Sequence, residues 1–305
     1  MRRTRTAAHR ETALTRRLVA MLLCAGAILV AAAFGLTRAG GSHAPVDPHH
    51  FTNDVSPREL HRVLDAVDAI DTTTPNAELV AEGKRLFREP SLYLQGLSCQ
   101  SCHTEGGANA ELGPQIHPTS PDDFVGPRDP PALWGIADTA PYLWTGSFPT
   151  LDELMARDIR LFFKDANATA ERVAALVAYL RSLEPPRSAF DLGTMSSAAL
   201  RGQQLFQGKA GCISCHMGPL LTDNRLHNTL VPQAPGANDP GAPNPPHAFN
   251  TPQLRDVANT APYMHNGVLA TLRQVVEFYD KTASTAPLNL TEQQIDDLVA
   301  YLRAL

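Results

Sequence analysis

The chain has 305 residues, enough for about two domains, and 43% of them are hydrophobic but only 6% aromatic. Seven Arg and one acid, Glu11, lie in residues 1–38, so the remainder carries 19 basic against 30 acidic side chains, a net charge of −11, although the whole chain stands at −5. An acidic body argues against nucleic acid as a partner; it suits docking of a small basic electron donor, a cytochrome or a cupredoxin, and it suits simple solubility equally well.

Arg2, Arg3, Arg5, Arg10, Arg16 and Arg17 precede an uncharged run from Leu18 to Thr37, which is long enough to cross a bilayer once. Retention of the Arg cluster in the cytoplasm sends the rest of the chain outward. Residues 1–38 therefore read as a signal anchor or signal peptide, with 18–37 expected to tether a periplasmic protein to the inner membrane. Ser42-His43-Ala44 is an alternative cleavage site. Cys24 follows Leu23, where a lipoprotein would need a small residue. Residues 39–75 read as a linker and a packing helix. Gly40 to Asp54 is rich in Gly, Pro and His, and Ser56-Pro57-Arg58-Glu59 supplies a capping box with Pro at the first helical position. Leu60, Val63, Leu64, Val67 and Ile70 then share one face.

Two repeats follow, over 76–188 and 189–305. Each opens with a short helix carrying a Leu-Phe pair, Leu86-Phe87 and Leu205-Phe206. Each continues with C-x-x-C-H, as Cys99-Gln100-Ser101-Cys102-His103 and Cys212-Ile213-Ser214-Cys215-His216. A Pro- and Gly-rich loop comes next, from about Thr104 to Pro131 and from Met217 to Asn250. The matched blocks TAPYLWTGSFPTLDEL and TAPYMHNGVLATLRQV begin at Thr139 and Thr260. The closing helices end in LVAYLRSL at Leu183 and LVAYLRAL at Leu305, the second with a capping box at Thr291 and Gln294. Pro185-Pro186 marks the boundary between the repeats. Strand signals are scarce. The expected fold is all-α, with two tandem cytochrome c-like haem domains behind an N-terminal membrane anchor or signal segment.

C-x-x-C-H is the attachment signature of c-type haem. Two thiols one helical turn apart reach the two vinyl groups of one porphyrin, and the adjacent His lies beneath the ring. Two copies imply two covalently bound c-type haems, with His103 and His216 as proximal iron ligands. A structural zinc site would need a second ligand pair at regular spacing, and Cys24 is poorly placed to help. A redox dithiol would want a βαβ setting, and a disulfide framework would need more cysteines in a chain this long.

The second repeat, with LFQGKAGCISCHMGPLLTDNRLHN and NTPQLRDVANTAPYMHNGVLATLRQVVEFYD, resembles the di-haem cytochrome c peroxidase and MauG family. The first repeat resembles it more loosely, through EGKRLFREPSLYLQGLSCQSCH and PALWGIADTAPYLWTGSFPTLDEL. Together the two cover nearly everything after residue 76. The resemblance implies a sixth ligand to the second haem in the helix after the APY block, where Tyr279 stands. On spacing alone, Tyr279 packs on an amphipathic helix with its hydroxyl at the surface. Met264 is the rival ligand and reads equally well as core. At the first haem, His117 falls roughly where peroxidases carry a distal His but equally reads as an exposed loop residue; Met155 is a further candidate that reads as core. Trp144 matches the Trp thought to carry electrons between the haems. His227, Arg255 and His265 match family positions near the second haem and read as propionate or structural hydrogen bonders.

The peroxidases place a Gln and a Glu over the open haem, and those positions hold Leu154 and Lys164 here. Asp158 or Asp165 are the substitutes for acid–base work, each reading on general grounds as part of a solvated helix face. The family holds a Ca²⁺ between its domains, but no ligand set in this sequence is clear enough to assign one. The expected activity is electron transfer between two haems, with hydrogen peroxide as oxidant. The alternative is a non-enzymatic periplasmic electron carrier or the haem subunit of a larger redox complex.

Overall fold

In the computed structural model the described residues are 57–74, 76–90, 97–107, 115–116, 127–163, 169–282 and 287–305, all within one compact unit, Asp47–Leu305. The expected anchor 18–37, Cys24, His117 and Asp165 lie outside the described residues. No helix among the described residues is long and apolar enough to cross a membrane.

The fold is helical. In chain order the α-helices are α1 (Pro57–Val67), α2 (Ala77–Phe87), α3 (Cys99–Cys102), α4 (Leu151–Phe163), α5 (Ala170–Arg181), α6 (Ala189–Leu192), α7 (Ser197–Gln207), α8 (Leu272–Thr282) and α9 (Glu292–Leu302). Side-chain caps set several starts: Asn76 accepts hydrogen bonds from the Glu78 and Leu79 amides, and Thr291 forms a reciprocal capping box with Gln294. Val63, Leu64, Val67 and Ile70 lay α1 and the turn after it against the first core, as the spacing predicts.

The repeat is visible in packing. In each half the opening helix crosses the closing one at a glycine. A Cβ on Gly83 of α2 would stand 1.9 Å from the Ala175 carbonyl oxygen of α5, and one on Gly202 of α7 would stand 1.9 Å from that of Asp297 on α9. Only Gly permits backbones this close. Beside each crossing a Phe meets a Tyr edge-on, Phe87 with Tyr179 and Phe206 with Tyr301, both at 5.2 Å between ring centroids. The two crossings hold two separate apolar cores, one per repeat.

Short strands join the loops. β1 (Gln115–Ile116) pairs with β2 (Pro127–Arg128), and β3 (Leu226–His227), β4 (Ala242–Pro243) and β5 (Pro246–Asn250) form an antiparallel sheet in the order β3-β5-β4. Four of these five strands have only two residues, too few to carry an alternation that a sequence pattern could detect.

Polar contacts tie the repeats together. Arg128 pairs in bidentate fashion with Asp239, at 2.9 and 3.0 Å, and both side chains are buried. The Asp129 amide donates to the His265 carbonyl (2.8 Å), Asn224 Nδ2 donates to the Asp138 carbonyl (2.7 Å), and Trp134 Nε1 donates to Asp256 Oδ2 (3.3 Å).

Candidate functional site

Each C-x-x-C-H motif winds into one helical turn, α3 in the first repeat and a 3₁₀ turn, Cys212–Ser214, in the second. This puts both thiols of each pair on one side and delivers the His at the end of the turn. The His103 amide donates to the Cys99 carbonyl and the His216 amide to that of Cys212, both at 2.9 Å, so the two histidines leave their turns in the same way.

The ring nitrogens decide what these histidines can do. His103 Nδ1 lies 3.0 Å from the Pro131 carbonyl oxygen, and His216 Nδ1 lies 2.9 Å from that of Leu221. A carbonyl oxygen only accepts, so each Nδ1 carries the proton and Nε2 keeps its lone pair for a metal. Burial holds both imidazoles below their usual pKa, His103 at about 4, which keeps them neutral, as ligation requires.

The thiols behave differently from a redox dithiol. All four are free, and burial pushes Cys99 up to about 12 and Cys212 to about 11. A disulfide exchanger would need the opposite shift. Among the described residues one trio, Cys215, Asp223 and His227, brings its ligand atoms within 4.8 Å of one another. His227 Nε2 already engages Asp223 Oδ2 at 2.8 Å, and thioether formation would consume the Cys215 thiolate. The residues present fit covalent haem in both repeats: paired, partly buried thiols within one turn and a neutral His whose Nδ1 faces a carbonyl.

Around the second motif, Tyr279 on α8 departs from the expectation of a surface hydroxyl. Burial raises its phenol above the usual range, a hydrogen bond from the Thr229 side chain partly offsets this, and the thiols of Cys212 and Cys215 act on it electrostatically. The hydroxyl therefore sits in the second motif's environment. Met264 occupies a left-handed turn position (φ 73), the place that Leu143 (φ 66) holds in the first repeat. The left-handed turn is therefore common to both repeats and does not depend on the Met264 side chain. Arg255 bonds Asp191 and lies over the Phe190 ring, so it braces its own domain. His265 is 2% exposed and stacks on Phe249 at 3.5 Å between centroids.

Around the first motif, Met155 packs against the first core, as expected. Asp158 is half-buried on α4 rather than fully solvated: its Oδ1 is sealed from solvent, burial raises its carboxyl to about 6, and its charge acts on the Cys99 thiol. Between the motifs, Trp144 donates from Nε1 to the Asp129 carbonyl (2.8 Å), its own carbonyl accepts from the Asn250 amide of β5 (2.7 Å), and its ring lies 6.4 Å from that of His265. It is thus clamped where the repeats meet. Sequence reasoning missed the buried Arg128–Asp239 pair and Asp129, whose carboxyl burial pushes up to about 8. A single Arg-Asp dipeptide in a Pro-rich loop gives no periodic signal of burial.

Residues 199–305 match the Cytochrome c family model. The cytochrome-c peroxidase IdrP1 of Denitromonas iodatirespirans is 32% identical over 75% of this chain and 81% of its own length. The methylamine utilization protein MauG of Methylorubrum extorquens is 30% identical over 94% of this chain and 93% of its own length. The chain belongs to the di-haem cytochrome c peroxidase and MauG family. The diheme peroxidase BthA of Burkholderia thailandensis shares the fold at a TM-score of 0.61 and 24% identity, covering 77% of this chain and 88% of that one. Membership makes this protein a haem-dependent oxidoreductase.

Proposed function

We propose that this protein is an exported di-haem cytochrome that reduces hydrogen peroxide, with an open first haem and a closed second one. The observation that carries this reading is the asymmetry beyond two like proximal histidines: a desolvated carboxylate, Asp158, beside the first motif and a desolvated phenol, Tyr279, beside the second. Cys99 with Cys102 and Cys212 with Cys215 would hold the two haems, which when bound would supply the electrons that reduce one peroxide to two waters. The protein's own groups do the rest. The Pro131 and Leu221 carbonyls hold His103 and His216 in the ligating tautomer. Tyr279 would close the second site as a phenolate-type ligand, which would favour ferric iron. Trp144, held by Asp129 and Asn250, provides the aromatic bridge between the sites.

The acidic body would receive electrons from a small basic cytochrome or cupredoxin, and residues 18–37 would hold the protein to the periplasmic face of the inner membrane. Rapid loss of donor turnover with rising salt is expected for such docking; a salt-independent rate would exclude it. Recovery of mature protein beginning near Pro45 in a soluble fraction would exclude the tether.

Electron paramagnetic resonance of the ferric holoprotein, before and after peroxide, tests the central reading. The expected result is a high-spin component that peroxide abolishes. Two low-spin signals indifferent to peroxide would instead mark an electron carrier or a haem subunit of a larger complex, the reading that Leu154 in the Gln position favours.

A further inference from the structure

Leu154 and Asp158 stand one turn apart on α4 and therefore share a face. Leu154 fills the position where the family's peroxidases carry their Gln, and it is 4% exposed. The face that should present a polar group is thus apolar there, and the next residue along it is an acid. Asp158 Oδ1 is buried and makes no hydrogen bond among the described residues. The Arg157 guanidinium lies 3.8 Å from it, an ion-pair distance longer than a hydrogen bond. Burial raises the carboxyl to about 6, and Asp158 in turn raises the pKa of the Cys99 thiol, so the charge lies in the first haem's surroundings.

A buried carboxylate oxygen without a donor costs stability, and such groups gather where chemistry needs them. A structural role would have furnished Oδ1 with a backbone amide or a full salt bridge. Neither is present on α4, whereas the surface acids Glu82 and Glu105 both have Arg partners at 2.8 Å or less.

We propose that Asp158 is the proton carrier of the first haem, acting from one helical turn away in place of the family's Gln and Glu. The inference rests on the peroxide-reducing reading above. Asp158, ionised at neutral pH, accepts the proton from the peroxide oxygen nearer the haem and returns it to the far oxygen. The O–O bond breaks, and its electron pair leaves with the far oxygen, which departs as water. Two electrons from the haems and two protons from solvent convert the remaining oxygen to a second water. Asp158 ends as it began, a carboxylate.

Asp158→Asn keeps the shape and removes the basic site. In stopped-flow mixing of the di-haem holoprotein with peroxide, the variant should react about 100-fold more slowly or worse and lose the inflection near pH 6 that the parent shows, while Asp158→Glu should recover most of the rate. Cyanide association with the ferric protein is the second readout: hydrogen cyanide must lose a proton to bind, so the same inflection should vanish from its rate in Asp158→Asn. Haem content and melting temperature of the variants should match or exceed the parent's. Unchanged peroxide and cyanide profiles in Asp158→Asn would overturn the inference alone. A parent protein indifferent to peroxide would overturn both it and the reading on which it rests.

Discussion

Arg128 and Asp239, 111 positions apart, form a two-pronged ion pair sealed from solvent between the repeats. Asp239 Oδ1 also accepts from the Gly241 amide at 2.9 Å, and the Gln233 side chain holds the Asp239 backbone from both sides. The pair thus fastens the long loop of the second repeat to the first. Breaking it by Arg128→Ala or Asp239→Asn strands a buried charge or half of a fork and should cost about 3–5 kcal/mol in urea denaturation of the holoprotein. An apolar double replacement, Arg128→Met with Asp239→Leu, should recover much of that loss. A single-variant loss under about 1 kcal/mol would show that water reaches the pair.

The glycine crossings make a steric prediction. Gly202→Ala puts a methyl group 1.9 Å from the Asp297 carbonyl, and Gly83→Ala does the same against Ala175. The obstacle is backbone, so the helices must separate, at a cost of about 1–3 kcal/mol or more. Melting of either variant should fall by several degrees, at about 2–4 °C per kcal/mol for a domain of this size. An unchanged melting temperature would show that the helices slide freely at the crossing.

Tyr279 should declare itself in the ferric spectrum. Tyr279→Phe removes the phenol and leaves the ring, so a phenolate-to-iron charge-transfer band should disappear and the second haem's reduction potential should rise. Thr229→Val deletes only the hydrogen bond to the phenol and should shift the band without abolishing it. A spectrum untouched by Tyr279→Phe would remove the phenolate from the mechanism.

Trp144→Phe tests the bridge between the haems. The substitution deletes the Nε1 donation to the Asp129 carbonyl, worth about 1 kcal/mol, and shortens the ring at the seam. Flash-induced electron transfer between the haems should slow at least tenfold. If the rate is unchanged, Trp144 is packing alone.

Asp158 links function to pH-dependent stability. Burial raises its folded-state pKa from 3.8 to about 6, so folding favours the protonated acid. That contribution is complete below about pH 4 and is lost as pH rises through 6. Asp158→Asn should therefore be more stable than the parent at pH 7–8, by up to about 2–3 kcal/mol, and equal to it at pH 3–4. Chemical denaturation at the two pH values measures the difference. Equal stability at both would mean the carboxylate is well solvated.

The helical order, the tandem repeat and both haem-attachment turns are properties of short stretches. Cys99 to His103 and Cys212 to His216 place thiols and imidazole within one turn of backbone, whatever surrounds them, and the Asn76 and Thr291 caps act over three residues. That is why they are legible in the linear chain. The fate of Tyr279 and Asp158 is different in kind. Each sits on an amphipathic helix whose spacing allows a wet or a dry side chain. Thr229, from a loop fifty residues away, hydrogen-bonds the phenol of the first, and burial desolvates the carboxyl of the second. The Arg128–Asp239 and Trp134–Asp256 contacts span more than 100 positions each. Burial is set by what other parts of the chain bring alongside, so the proximal ligands belong to the sequence and the distal chemistry to the tertiary structure.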